Sequence, residues 1–592
     1  MDLWGSFLFL VCFGLYLRTL CPVFMDDDSP ETIAAGVKLG LAHPPSYALD
    51  TLWVRLVSFL PLGGVAFQVN VGSALLAAFT AVLLARNILM VLDHFLQTPP
   101  AQHPGGKTWF KVACAASGAL LLAFSHTYWE KALGAKGGIY LWQALLSQLI
   151  FYFFLQFELE VIGKAIKSRW LYLVLLLFGL GLTNHWQTQI IFLPLLLIML
   201  IRRPFTPQKW LLGSVFFVIG TSVLLYLPLR SNLHPGWNLG EPDNLSRFLD
   251  SFFRRYVNDR ETSLIGLFFQ VLHGQKTWSD LSQLAHRILD IQGTALGPHL
   301  ISDLKAPALL LALLGLASPW TASGKKAFLA LLLPAAFLLL LFLTYFWVPT
   351  NIPYHWYIDN FLLSLNIAGA FLAALGLYRL GSLLPPRLAF LPLPMAFLLL
   401  FGLADFNFPL QNQEHQTLRY DYGVNLLKSS PRNSVFFAEA DEDYFPAYYL
   451  RAVEHKRLDI EMIPAFTLFE TWGVAQVARL HPDLGLTAPT RDFPDKFARL
   501  ISSLSEIAAK NRDRTPCTYS YFNGAFHRYY FPYHPSELVL KSGVLYELAS
   551  PVSTHAPRLP ASGLRLRNLD DPSNSHESLR GILHVYQALG LL

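Results

Sequence analysis

Residues 66–92 read AFQVNVGSALLAAFTAVLLARNILMVL, with Arg86 as the only charge. A bilayer core ~30 Å deep is crossed by about 20 mainly apolar residues in a helix, because lipid offers backbone amides no hydrogen-bond partner. This stretch is long enough, and similar ones recur near 3–20, 110–124, 140–157, 171–182, 190–201, 210–229, 307–319, 328–348, 361–378 and 388–404. That makes about eleven apolar runs at or near the length a spanning helix needs. Several are short, so their polar neighbours should face protein rather than lipid. Composition agrees. The 592-residue chain is 53% hydrophobic and 14% charged, where soluble domains carry about 25% charge; its mean hydropathy is +0.38. The 45 phenylalanines exclude disorder, and a net charge of +5, dispersed along the chain, gives no basis for a nucleic-acid partner. The reading is a polytopic α-helical membrane protein.

Lysines and arginines in short loops set the orientation. Lys107, Lys111, Lys164, Lys167, Arg169, Arg202, Arg203, Lys209, Lys325, Lys326, Arg379 and Arg387 fall in alternate loops. The opposing loops near Asn184 and Pro353 have none, although one carries Lys131 and Lys136. The basic set is therefore expected in the cytoplasm, with the segment after Leu20 and the carboxy-terminal tail outside. Asp2 and the lack of a basic leader or cleavage site predict a retained first helix. Cys12 and Cys114 lie in apolar runs; Cys21 and Cys517 are expected outside, with no disulfide framework. No C-x-x-C, H-E-x-x-H, P-loop or dinucleotide glycine motif is present, so nucleotide-driven chemistry is not indicated.

Three stretches outside the helices carry the chemistry. The first, 21–65, holds Asp26-Asp27-Asp28-Ser29-Pro30-Glu31 against a membrane helix end. Ser29 is suited to cap a helix and Pro30 to open one. Ile33, Val37 and Leu41, then Leu52, Leu56 and Leu60, predict two amphipathic helices in the outer interface. Acids at a helix start also satisfy the dipole, but clustered carboxylates beside lipid are functional candidates by default. The second stretch, 230–305, offers Arg230, Arg254 and Arg255, whose guanidinium forks suit phosphate oxygens but would equally pair with local acids. The third, 405–592, alternates short strands (434–438, 460–464, 518–522, 538–540, 544–548) with helical pattern, which predicts an extracytoplasmic α/β domain beside a membrane domain of 1–404. Its Asp441-Glu442-Asp443 fits either a metal or sugar site or, more simply, a helix start. Polar and aromatic clusters at helix ends, including Trp129, His185 and Asp359, fall on the same side as the acidic loop. Together they would line one outward-facing cleft.

Asp28-Ser29-Pro30-Glu31, Lys38-Leu39-Gly40, His43-Pro44-Pro45-Ser46-Tyr47 and Phe67-Gln68-Val69-Asn70 resemble the first-loop signature of the bacterial domain-of-unknown-function 2723 family. That family is related to the transmembrane protein 260 O-mannosyltransferases. Tyr226–Arg230, Asp359-Asn360-Phe361, the 440–450 block and Arg457-Leu458-Asp459 are similar to further family blocks, so the likeness covers most of the chain. The resemblance implies a GT-C glycosyltransferase using a polyprenyl-phosphate-linked sugar on the non-cytoplasmic face, in a bacterial inner membrane. It implies Asp28 as the base, with Glu31 and Asp27 beside it. Arg230, Arg254, Arg255, His43, Tyr47, His185, Trp129 and Asp359 are then substrate-binding candidates. Pro30 stands where the family has glycine, and Gly138-Ile139-Tyr140 where it has glutamate-valine-tyrosine; Glu130 is the nearest substitute. No strong metal-ligand set is visible, no metal site is assigned, and a divalent-metal requirement stays open. Partners would be the lipid-linked donor, a protein or glycan acceptor and membrane lipid. A lipid-linked sugar flippase and a non-catalytic envelope scaffold are the alternatives; the first should show paired broken helices in matching halves, and the second should tolerate neutralisation of the acidic loop.

Overall fold

The computed structural model describes the chain apart from residues 1, 26–27, 98, 100–102, 163–168, 202–205, 255–263, 345–353, 488–495, 521–538, 549–562, 570–576 and 589–592. Among the described residues each apolar run falls mainly in helical structure. Six helices are long and apolar enough to cross a membrane: Val65–His94, Gly137–Ile162, Pro207–Ser231, Gly324–Leu341, Leu362–Leu383 and Pro392–Gln411. Two further pairs reach the length only together, Thr108–Ala123 with His126–Ala132 (bent 72°) and Leu296–Leu304 with Ala306–Leu316 (bent 101°), which makes up to eight. Of the remaining runs, 171–182 lies in Arg169–Gln189, which breaks at His185, and others form shorter helices, Leu3–Thr19 and Leu193–Ile201. Small residues let the helices touch backbone to backbone. A Cβ on Gly376 would stand 1.8 Å from the Leu311 carbonyl oxygen, and one on Gly315 2.0 Å from that of Leu372. Such close approach is how helices associate where lipid gives no hydrophobic drive. Some buried polar side chains pair between helices, as where Asn87 donates to the Gln148 carbonyl at 2.9 Å.

The loops sort into two ends. Thr321 N–H donates to Phe95 O, Gln97 N–H to Pro319 O, and His103 Nε2 lies 3.0 Å from Leu384 O, so three of the loops predicted as cytoplasmic meet. The opposite end gathers the first loop, the long loop and the tail. The apolar spacing places the helix Ser29–Lys38 on the membrane interface, but in the structure Ser29 to Gly36 are all buried, because the tail's helix Asp441–Ala452 covers it. The second predicted amphipathic helix, Ala48–Val57, does leave Leu52 and Leu56 exposed, with Phe59 just beyond it.

The last apolar helix runs to Gln411, and the α/β body follows. Its sheet has strands β1 (Val435–Ala438), β2 (Glu461–Pro464), β3 (Cys517–Tyr519), β4 (Val539–Ser542) and β5 (Leu545–Leu548) in the order β2-β1-β3-β5-β4. Strand β1 is parallel to β2 and β3, while β5 is antiparallel to β3 and β4. Alternation along β1 feeds two cores. Val435 and Phe437 join Leu504 and Ile507 of the helix Lys496–Asn511, whereas Phe436 and Ala438 join Tyr449 and Leu450 on the other face. The acids Asp441, Glu442 and Asp443 occupy the first turn of their helix. Asp443 is buried and accepts from Tyr422 Oη at 2.5 Å and Ser520 Oγ at 2.6 Å. The four cysteines are buried.

Candidate functional site

Asp28 stands at the N-cap position of Ser29–Lys38, yet its side chain makes no capping bond. The carboxylate instead meets the Lys136 ammonium. Ser29, predicted as the cap, accepts from Lys136 N–H at 3.1 Å. One helical turn on, Glu31 is fully buried. Its Oε1 accepts from His43 N–H at 2.8 Å and from Trp237 Nε1 at 3.1 Å, and its Oε2 lies 2.5 Å from His43 Nδ1. The other imidazole nitrogen lies 4.0 Å from Asp28 Oδ2 and 3.4 Å from the Tyr47 hydroxyl. An imidazole is thus bracketed by two carboxylates, with a lysine on the far side of one.

The charges explain one another. Burial alone would raise the Asp28 carboxyl, but Lys136, then His43 and Arg419, hold it down at about 2. Burial alone would lower His43, and Glu31 and Asp28 raise it above its ordinary value. Lys136 is likewise held high by Asp28 against the cost of burial. Asp28, His43 and Lys136 are each held toward the charged form in a site largely shut from water, an arrangement that needs all its partners.

Around it stand the aromatic groups. Tyr47 stacks on His185 at 6.0 Å, and Tyr140 lies 5.9 Å from the same imidazole. His185 falls at a break in helical geometry (φ −138°, ψ 84°), which turns it out of its own helix. Arg254, in a left-handed backbone conformation (φ 53°), is near enough for its positive charge to act on both His43 and Tyr47. Five predicted residues therefore converge with Asp28: Glu31, His43, Tyr47, His185 and Arg254.

Others are placed elsewhere. Arg230 donates from Nε to Leu39 O at 2.7 Å and lines a separate cavity under the tail. Trp129 is fully buried, donating to Thr19 Oγ1 at 2.9 Å. Glu130 pairs with Lys131 at 2.6 Å. Asp359 lies in the helix Tyr354–Leu383; its side chain, with Asp27 and Arg255, lies outside the described residues. Sequence reasoning passed over Lys136 and Trp237, which hold Asp28 and Glu31, although two lysines in an otherwise uncharged set of loops were a signal. It also passed over Asp50. That carboxylate is 1% exposed, and neither oxygen has a hydrogen-bond partner among the described residues. Its Oδ1 would be 2.8 Å from a Cβ on Gly138, so the glycine makes its room.

Asp28, Glu31 and His43 could each offer a metal one ligand atom, all within 4.8 Å of one another. The fit is poor as arranged. Both Glu31 oxygens already accept protein N–H groups and Asp28 holds an ammonium, so a cation would have to break these contacts first.

A helical membrane body, a first-loop carboxylate cluster and an α/β tail folded over that loop define a multi-pass membrane protein of GT-C-like fold. Residues 28–209 match the family model described as the protein O-mannosyl-transferase TMEM260 N-terminal domain. The chain is 28% identical over 247 residues to the mouse protein O-mannosyl-transferase TMEM260, covering 41% of this chain and 32% of that protein. It is 23% identical over 509 residues to the Dictyostelium discoideum protein of the same name, covering 78% and 57%. The chain thus spans about a third and somewhat over half of these two relatives. Among solved structures, ArnT from Cupriavidus metallidurans bound to undecaprenyl phosphate superposes with a TM-score of 0.51, covering 92% of this chain and 97% of that one. At 13% identity this is a likeness of fold.

Proposed function

We propose that the chain is a membrane glycosyltransferase that moves a sugar from a polyprenyl-phosphate-linked donor to an acceptor hydroxyl on the non-cytoplasmic face, with inversion. The observation that carries this reading is the Asp28–His43–Glu31 cluster, with Lys136 holding Asp28 ionised, the positive charge of Arg254 acting on His43, and Tyr47 stacked on His185. A scaffold has no need of buried charges that cost several kcal/mol each to desolvate. The relatives' names support an O-mannosyltransferase-like activity, and the undecaprenyl phosphate in the ArnT structure supports a polyprenyl phosphate donor.

In this mechanism the acceptor oxygen attacks the anomeric carbon while its proton passes to Asp28. The bond from that carbon to the phosphate oxygen breaks, and polyprenyl phosphate leaves. A carboxylate held well below its ordinary pKa by Lys136 is a weak base, which suits a step where the hydroxyl becomes acidic only as its oxygen bonds to a cationic sugar ring. Asp28 and Glu31 offset that ring charge, and Arg254 offsets charge growing on the phosphate. His43 fixes the spacing of the two carboxylates. The membrane helices bind the lipid chain, and the tail forms the extracytoplasmic roof of the site.

The test is Asp28→Asn in membranes given a polyprenyl-phosphate mannose donor and an acceptor protein or glycan. Transfer should fall by roughly 10²–10⁴, the usual worth of a general base. Undiminished transfer would remove Asp28 from the mechanism. Sugar crossing the bilayer with no new glycosidic bond would instead establish a flippase.

A further inference from the structure

Beneath the tail lies a hollow of about 540 Å³, walled on one side by the end of the first-loop helix and the long loop, on the other by the α/β domain. Three cations reach it: Lys38, Arg230 and Arg451. Among the described residues the acid in its wall is Glu461, at the start of strand β2, and His481 Nδ1 already engages it at 2.6 Å.

Among the described residues, two polar atoms in this wall lack hydrogen-bond partners. Gln476 is 3% exposed, and its Nε2 has no hydrogen-bond partner among the described residues. The same holds for the buried Nε of Arg451, whose Nη2 reaches only Leu458 O at 3.4 Å and Glu461 at 4.0 Å. Buried donors without acceptors are costly unless a ligand supplies them. The rest of the wall is mainly aliphatic, with Leu458, Met462, Val477 and Leu480, beside three aromatic residues: Tyr444 and Tyr448 stack at 5.4 Å, and Trp237 lies 5.2 Å from Tyr448. Trp237 is shared between the two sites, since its Nε1 holds Glu31.

We propose that this hollow binds an anionic carbohydrate, a sugar bearing phosphate or carboxylate, as the non-reacting part of the acceptor. Unpartnered donors and excess positive charge select the anion, and the apolar side chains between them suit the apolar faces of a sugar. Calling the ligand an acceptor rests on the glycosyl-transfer reading; the binding itself does not.

The experiment measures binding to the purified full chain in detergent by calorimetry, with mannose 6-phosphate, glucuronate, mannose and inorganic phosphate as probes. At least one anionic sugar should bind tenfold or more tighter than mannose, and whichever does so names the charged group. Inorganic phosphate should bind more weakly than the sugar that carries it. Arg451→Gln should weaken the anionic sugar about tenfold, Arg451→Lys less, and Gln476→Leu should weaken it with the fold intact by thermal melting. Asp28→Asn should leave binding unchanged while transfer is lost, which separates failure of this site from failure of the proposed reaction. Equal binding of mannose, no binding of any sugar at millimolar concentration, or indifference to both Arg451→Gln and Gln476→Leu overturns the proposal.

Discussion

At the scale of single residues, the site is a balance in which each charge sets its neighbour's protonation. Lys136 is the largest influence lowering the Asp28 carboxyl. Removing it as Lys136→Met leaves burial to dominate, so the carboxyl rises. Asp28 is active when ionised, so the acid limb of kcat/KM should move to higher pH by about one unit or more, read from a pH–rate profile in which Lys136→Arg moves less. An unshifted limb would mean that Asp28 is not the titrating base. Part of this site was legible beforehand, because Asp28, Glu31, His43 and Tyr47 fall within one short loop. Arg254 was named for its fit to phosphate, but Lys136 and Trp237 come from distant segments, and local pattern does not say which distant side chain a carboxylate will meet.

At the scale of elements, the first-loop helices depend on close contact. A Cβ on Gly36 would sit 2.2 Å from Val54 Cγ1, so Gly36→Ala should destabilise the protein by about 1–3 kcal/mol through overpacking. Thermal unfolding checks it, and Val54→Ala in the same chain should recover part of the loss. In the tail, burial raises the Asp443 carboxyl to about 6, while Ser520 and Tyr422 act in the opposite direction. The folded domain therefore holds that proton more tightly than the unfolded chain. This group's contribution is full below the ordinary carboxylate value, declines as pH rises to about 6 and is flat beyond. Two pKa units correspond to roughly 2–3 kcal/mol. The difference in melting temperature between the protein and Asp443→Asn should accordingly change between about pH 4 and 6 and stay constant above. The strands around Asp443 were legible, since short apolar runs between turns have few other outcomes. The covering of Ser29–Lys38 was not: its apolar face reads the same whether lipid or protein lies against it.

At the scale of the whole molecule, charge and packing divide the chain in the same way. The basic loops meet at one end, through contacts such as Thr321 with Phe95. At the other, Trp237 stacks on Tyr444 at 5.0 Å and Arg419 Nε donates to Met25 O at 3.2 Å, joining both outer loops to the tail. This grouping of loops was legible because positive charge is kept on one side of a membrane; the number of full crossings was not, since bent pairs and short helices share the same composition. If the basic end is cytoplasmic, the carboxylate cluster and tail must face the other way. The four native cysteines are buried, so a single introduced cysteine should dominate labelling by a membrane-impermeant maleimide. In right-side-out vesicles Asp483→Cys, exposed on the tail, should label at once, and Lys107→Cys, exposed among the basic loops, only after permeabilisation. The opposite pattern would put the site in the cytoplasm, where a donor presented on the outer leaflet could not reach Asp28, and the proposed reaction would lose its substrate.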